Sequence, residues 1–366
     1  TPPEGLENRE RSPPPKCYEQ AVTESALTAV VLMNLGGPDD LEAVEPFLFN
    51  IFNDRDMIQL PLGFLWQKRF ARMLSRKRAP ESRANYEKIG GRSPILEHTR
   101  AQAAAIEAEL GPGYRCYVAM RAWHPFTEEA VDALVADGAT EVVALPLYPQ
   151  RSRTTSYSSV AELRRVLARK APYLPLREVC CWPTAAGFLD AWANAIGAVL
   201  DRIAPERRAD AHVLFSAHGL PQSVVDRGDP YYEHVLASCR GVIARLSPGT
   251  SWSVAFQSRA TAGRWLEPAT EHELDRLAKA GVKDVIVVPI AFVTEHVETL
   301  YELDILLKEP ALAAGIEGYH RVPVPSVAPE LVAALADLVR GAQRGDLPTC
   351  AAAPGRKCAR RGDRKV

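Results

Sequence analysis

The chain has 366 residues, 47% hydrophobic and 24% charged, enough for two domains that each bury a core. A net charge of -1 gives no field that favours nucleic acid, and no unbroken apolar run reaches the about 18–20 residues of a membrane span. The Pro-rich, charged start lacks the apolar centre of a secretory signal, and seven cysteines without dense pairing fit a reducing compartment.

Residues 1–26 read as a loosely attached arm. From Leu27 the pattern is strand, turn, helix, repeated. Short apolar runs predict buried parallel strands at Ala29–Leu35, Tyr114–Met120, Glu141–Leu147 and Arg177–Cys181, then at His212–Ser216, Ser251–Phe256, Asp284–Phe292 and Gly318–Pro323. Stretches rich in Ala, Leu, Glu and Arg separate them, as at 99–110, 127–137, 157–169, 187–203 and 268–280, and a further helix is expected at 330–341. The fold class is therefore α/β: two four-stranded parallel sheets flanked by helices. The sequence divides into an N-terminal α/β domain over 27–184, a C-terminal one over 185–326, a helix within 327–345 and a basic tail over 346–366. The halves resemble each other, Val31-Leu-Met-Asn-Leu-Gly-Gly against Val213-Leu-Phe-Ser-Ala-His-Gly, as an ancient duplication would leave them.

The segment 47–78 differs. Phe64, Leu65, Trp66 and Phe70 stand beside Lys68, Arg69, Arg72 and Arg76. An apolar face next to a basic one suits a helix lying in a membrane surface, and equally a helix packed on its own domain with a solvated basic side.

Two motifs carry the chemistry. Ser216-Ala-His218-Gly-Leu-Pro follows a buried strand, so His218 should project into the cleft beyond the strand ends, where a neutral imidazole takes a proton or a metal. Phe292-Val-Thr-Glu-His-Val-Glu-Thr-Leu-Tyr-Glu-Leu-Asp304 follows another. There Thr294 is expected to cap a helix on which Glu295, Glu298 and Glu302 line one face at i, i+3 and i+7. A stripe of carboxylates starting in a cleft passes protons or hydrated cations, and carboxylate with imidazole suits Fe²⁺. A solvated acidic helix face is the plainer alternative. No GxGxxG or GxxxxGK[ST] appears, which leaves nucleotide binding without support.

At these residues the chain resembles the ferrochelatase family. Leu35-Gly-Gly-Pro38, Gly90-Gly-Arg-Ser-Pro94, Tyr148-Pro-Gln150, Ser216 through Pro221, Gln257-Ser-Arg259, Trp265-Leu and Phe292 through Asp304 occur in that family's order across about residues 28–340. The resemblance implies two Rossmann-like domains around a porphyrin cleft and insertion of Fe²⁺ into protoporphyrin IX. It casts His218 as proton acceptor or iron receiver and Glu298 as its facing partner, with Glu295, His296 and Glu302 on the proton or metal path. It places Leu35, Arg121, Trp265 and Phe292 in the porphyrin pocket, and Arg55 at its mouth beside the propionates. It also makes Phe64, Leu65 and Trp66 a lip that enters lipid. The expected setting is a peripheral one, on the cytoplasmic face of an inner membrane or in a mitochondrial matrix, as a monomer or a homodimer. Some relatives hold a [2Fe–2S] cluster on four cysteines. Here Cys350 and Cys358 match two of them, but Ala353 and Arg153 occupy the other positions, so no such cluster is expected. The rivals are a coproporphyrin-type ferrochelatase and a two-domain haem or metal carrier.

Overall fold

The computed structural model describes residues 26–58, 63–259 and 263–347. Strands β1 (Thr28–Asn34), β2 (Tyr114–Met120), β3 (Glu141–Pro146) and β4 (Leu176–Glu178) form one four-stranded sheet in the order β2-β1-β3-β4. Strands β5 (His212–His218), β6 (Ser251–Gln257), β7 (Asp284–Val288) and β8 (Gly318–Arg321) form a second, ordered β6-β5-β7-β8. All the pairings are parallel. The two orders are the same with four added to each number, so the halves inferred from the repeated motif share one topology.

Alternation along each strand divides the core. In β1, Val30 and Leu32 face a cluster that also takes Phe215 of β5, Ile286 of β7 and Trp192, while Ala29, Val31 and Met33 face a separate cluster behind the first sheet. Leu214, Val285 and Val287 do the same behind the second sheet. The shared cluster lies among three helices, Ile95–Leu110, Ala186–Leu200 and Pro329–Arg344, so the last helix returns from the second half to pack near the first. Gly187 permits that crossing, because a Cβ there would stand 2.0 Å from the carbonyl oxygen of Glu330.

Three strand ends fall two or more residues earlier than predicted. β7 stops at Val288 rather than Phe292, because Pro289 has no N–H for the ladder and the chain turns. β8 stops at Arg321 rather than Pro323, again just before prolines appear in the run. β4 stops at Glu178 rather than Cys181: it pairs only with Val142–Ala144 at the sheet's edge, so Cys180 and Cys181 lie beyond it. Cys116 and Cys239 are free thiols. Cys350, Ala353 and Cys358 lie outside the described residues, whereas Arg153 is an exposed side chain at the start of the helical segment 153–170.

The basic, aromatic segment becomes two helices, Val44–Asn53 and Gly63–Glu87, packed on each other. Gln67 is buried and its amide donates to the carbonyls of Phe52 (2.7 Å) and Ile58 (3.1 Å). Trp66 and Met73, one heptad apart, remain 55% and 61% exposed, and the Arg69 guanidinium lies 5.6 Å from the Trp66 ring centroid. One face therefore packs on the domain, as the plainer reading had it, and apolar side chains stay outside on another. The side chains of Phe64 and Leu65 lie outside the described residues. Among the described residues no helix is long and apolar enough to cross a membrane.

Candidate active site

His218 is the last residue of β5, and Gln257, the last of β6, is its register partner. Gly219 closes the turn behind it. Its N–H donates to Gln257 O at 2.7 Å, and a Cβ there would meet the same oxygen at 2.8 Å. The turn fixes the imidazole at the carboxyl edge of the sheet, where an open α/β fold presents ligands. Nδ1 of His218 lies 3.0 Å from Glu298 Oε2, and Nε2 of His296 lies 3.6 Å from the same oxygen. The His218 side chain is 35% exposed and that of Glu298 17%, so the pair is partly open to solvent.

The acidic segment differs from the predicted helix. Regular turns begin only at Glu298 and run to Leu306 with the wider π spacing. Thr294 caps nothing; its hydroxyl accepts from Asn34 Nδ2 at 3.3 Å. Glu298 and Glu302, four apart, do share a face on this wider helix, but Glu295 leaves the stripe. It sits in the preceding turn, where Arg321 Nη1 (2.7 Å), the Thr299 hydroxyl (2.5 Å) and the Val324 N–H (3.2 Å) all donate to it. Prediction of a regular 3.6-residue period placed it with the other two; a buried cation from β8 draws it away. His296 stays near Glu298, and its ring centroid is 4.5 Å from that of Phe292.

Electrostatics follow from this geometry. Burial alone would lower the His218 pKa, but the charge and hydrogen bond of Glu298 outweigh it, so His218 lies above its ordinary value. Burial alone would raise Glu298, yet His218 and then His296 hold its carboxyl far below the usual range. The two form a hydrogen-bonded imidazole–carboxylate pair in which the carboxylate strengthens the ring as a base. Glu302 goes the other way: burial first, and then the charge of Glu298, push it up to about 7. The Ser258 hydroxyl and Gln257 Nε2 (3.1 Å) donate to Glu302, and the same Nε2 reaches Glu298 O at 2.9 Å. Ser258 holds a φ of 65°, a left-handed conformation that costs a non-glycine residue energy and aims its hydroxyl here.

The folded pKa of Glu302 lies above the ordinary carboxyl value of 4.5, so the native state binds the extra proton and wild-type stability falls as pH rises from 4.5 to about 7. Glu302→Gln carries no such charge. Its Tm advantage over the wild type is expected to open across that window and stay flat above it; a gap independent of pH would contradict the raised value.

The remaining predicted residues are spread along the rim. Leu35 is half-buried after β1, and Trp265 is 8% exposed and bridges to Pro221. Arg55 is exposed in a turn. Arg121 is largely enclosed, with its guanidinium 2.7 Å from Asp54, 3.1 Å from Glu162 and 3.2 Å from Asp56, so its charge is already met by carboxylates. The motifs did not single out the roles of four residues. Gln257 bridges the two glutamates and Ser258 donates to Glu302, Tyr231 donates from Oη to His218 O at 2.9 Å, and Tyr86 is a buried phenol pushed up by burial and then by the Glu298 charge. The Gln257-Ser-Arg259 motif marked Gln257 and Ser258 without giving them a role, and no local pattern marks the tyrosines. Residues of the first half hold the acidic turn in place, since Gln102 Nε2 donates to Val293 O at 2.9 Å and Asn34 reaches Thr294. Among the described residues no three His, Cys, Asp or Glu side chains gather into a metal-ligand set.

The sequence profile of the ferrochelatase family matches residues 27–343. Ferrochelatases of Geobacter metallireducens and Geotalea uraniireducens are 46% and 45% identical to the chain, covering 87% and 85% of it and 99% and 97% of themselves. That of Phenylobacterium zucineum is 45% identical over 91% of the chain and 98% of its own length. Among solved structures, SirB from Bacillus subtilis with Fe³⁺ superposes with a TM-score of 0.54 at 14% identity, covering 87% of the chain and 97% of SirB, which shows the fold is that of the chelatases. With the His218–Glu298 pair at the strand ends of such a fold, the chain belongs to the ferrochelatase family, enzymes that insert a metal into a porphyrin.

Proposed function

We propose that the chain inserts Fe²⁺ into protoporphyrin IX, releasing two protons and yielding haem, with His218 and Glu298 at the point of insertion. The observation that supports this reading is the imidazole–carboxylate pair, partly open to solvent at the sheet's carboxyl edge, backed by a neighbouring carboxyl that titrates near neutrality. Each proton lost by a pyrrole nitrogen needs an acceptor. His218 is a base strengthened by Glu298, and its Nδ1 is committed to that carboxylate, which leaves Nε2 to face the macrocycle. Glu298 stays ionised and orients the ring. Glu302 is the carboxyl able to hold a proton at about pH 7 and release it. The same anionic edge attracts the Fe²⁺ dication, and imidazole with carboxylate suits it as transient ligands while porphyrin nitrogens replace its waters. Leu35, Trp265 and Phe292 would then flank the flat apolar substrate, and Arg55 would stand where the propionates emerge. A [2Fe–2S] cluster does not fit this chain, because an exposed guanidinium stands at Arg153 where a thiolate would be required.

Protoporphyrin is carried in lipid, and the exposed Trp66 and Met73 beside Arg69 give the protein a peripheral foothold on a membrane surface, on the cytoplasmic or matrix side. Replacing both Trp66 and Met73 by Ser is expected to reduce sedimentation with anionic liposomes about tenfold, since each removes apolar area from the bilayer interface. Undiminished sedimentation would reject the foothold.

The activity is tested by anaerobic incubation with Fe²⁺ and protoporphyrin IX, followed as loss of porphyrin fluorescence, beside the same reaction with coproporphyrin III. Turnover of protoporphyrin supports the proposal. Turnover of coproporphyrin alone keeps metal insertion and replaces the substrate.

A further inference from the structure

The loop that leaves β3 in the first half is tied to the second half by a chain of buried polar contacts that ends on His218. Gln150 Nε2 donates to the Ser238 hydroxyl at 3.0 Å, and the Arg151 N–H donates to Nδ1 of the fully buried His234 at 3.1 Å. Asp229, 4% exposed, is the branch point. Its Oδ2 accepts from the Ser152 hydroxyl (3.1 Å) and the Arg153 N–H (2.8 Å), while its Oδ1 accepts from the Tyr231 N–H at 3.0 Å. Tyr231, 6% exposed, donates from Oη to His218 O at 2.9 Å. One carboxylate therefore joins a loop of the first sheet to the residue that fixes the backbone of the imidazole. A carboxylate accepting three donors in a buried site fixes their relative positions more tightly than neutral bonds would.

We infer that Asp229 is a positioning residue for metal insertion: it couples the β3 loop to the His218 backbone through Tyr231, setting where the imidazole stands over the cleft. This rests on metal insertion as the reaction. A role confined to starting the helix Tyr231–Ile243 would change stability alone.

The sequence supplies a direct reporter. His218–Gly219 is the sole His–Gly pair in the chain, so histidine labelled at its carbonyl carbon and glycine labelled with ¹⁵N give one correlated resonance, that of the His218 carbonyl. Tyr231→Phe removes the hydrogen bond to that carbonyl and defines its shift. Asp229→Asn, and separately Ser152→Ala, are expected to move the resonance in the same direction. They should lower kcat for insertion about tenfold with KM little changed, as loss of positioning does. Asp229→Asn combined with Tyr231→Phe should be no slower than the slower single variant. A resonance unmoved by both Asp229→Asn and Ser152→Ala, or losses that multiply in the double variant, would overturn the inference. If the wild type inserts no metal while the resonance still moves, the coupling stands and the functional reading falls.

Discussion

His218→Ala is expected to lower kcat for metal insertion by about a thousandfold or more, the upper range for loss of a positioned general base. The prediction combines geometry with charge. Glu298 Oε2 lies 3.0 Å from Nδ1, and the carboxylate raises the basicity of the ring proposed to take the pyrrole protons. With the imidazole gone, Glu298 loses its first partner and keeps only His296 at 3.6 Å, so its carboxyl pKa should climb and the anion that attracts the metal weakens too. The side chain is 35% exposed and fills no core, so the fold should persist even though Glu298 loses a partner. Thermal melting beside the fluorescence assay separates the two effects. A variant that melts like the wild type and retains a tenth of its turnover would remove His218 from the proposed role.

The second large effect concerns stability. Arg321→Ala is expected to cost about 3–5 kcal/mol, the range for breaking a buried ion pair from one side. Arg321 leaves β8 with its side chain 13% exposed and holds two carboxylates, Glu295 at 2.7 Å through Nη1 and Asp304 at 2.7 Å through Nε. Burial alone would raise Glu295, and the Arg321 charge and the hydrogen bonds of Thr299, Arg321 and Val324 reverse it, leaving the carboxyl below its ordinary value. A depressed folded pKa contributes stability that is present above the unfolded value of 4.5 and lost as pH falls through the folded one. Arg321→Ala should therefore lose most stability near neutral pH and approach the wild type in acid, as read by urea unfolding at pH 7 and again below pH 4. An equal loss at both would mean that packing of the side chain, rather than its charge, is what matters. Because Glu295 precedes His296 in the same turn, insertion activity should fall as well.

Much of the fold could be read from the residues. Runs such as Val30–Met33 and Val285–Val288 are apolar on both faces because helices cover both sides of a parallel strand, and that need leaves a continuous hydrophobic signature. His218 could be found because a strand end followed by Gly219 is a local feature, and the repeated motif pointed to two sheets of one topology. Glu298 and Glu302 were found with it because their spacing keeps them on one face in either helical period. Glu295 was not read correctly: its position depends on Arg321, which arrives from another strand and out-competes the local helix for the carboxylate. The same reason explains Asp229, Tyr231 and Tyr86, whose partners lie on elements far away in the chain. What the sequence alone determined about this protein is its family, its two-sheet architecture and the imidazole and carboxylates at the strand ends, because each rests on patterns within a few residues. Tertiary structure decided which charges pair, where the π spacing begins and how the first half grips the acidic turn, because those depend on groups that only packing brings within hydrogen-bond distance.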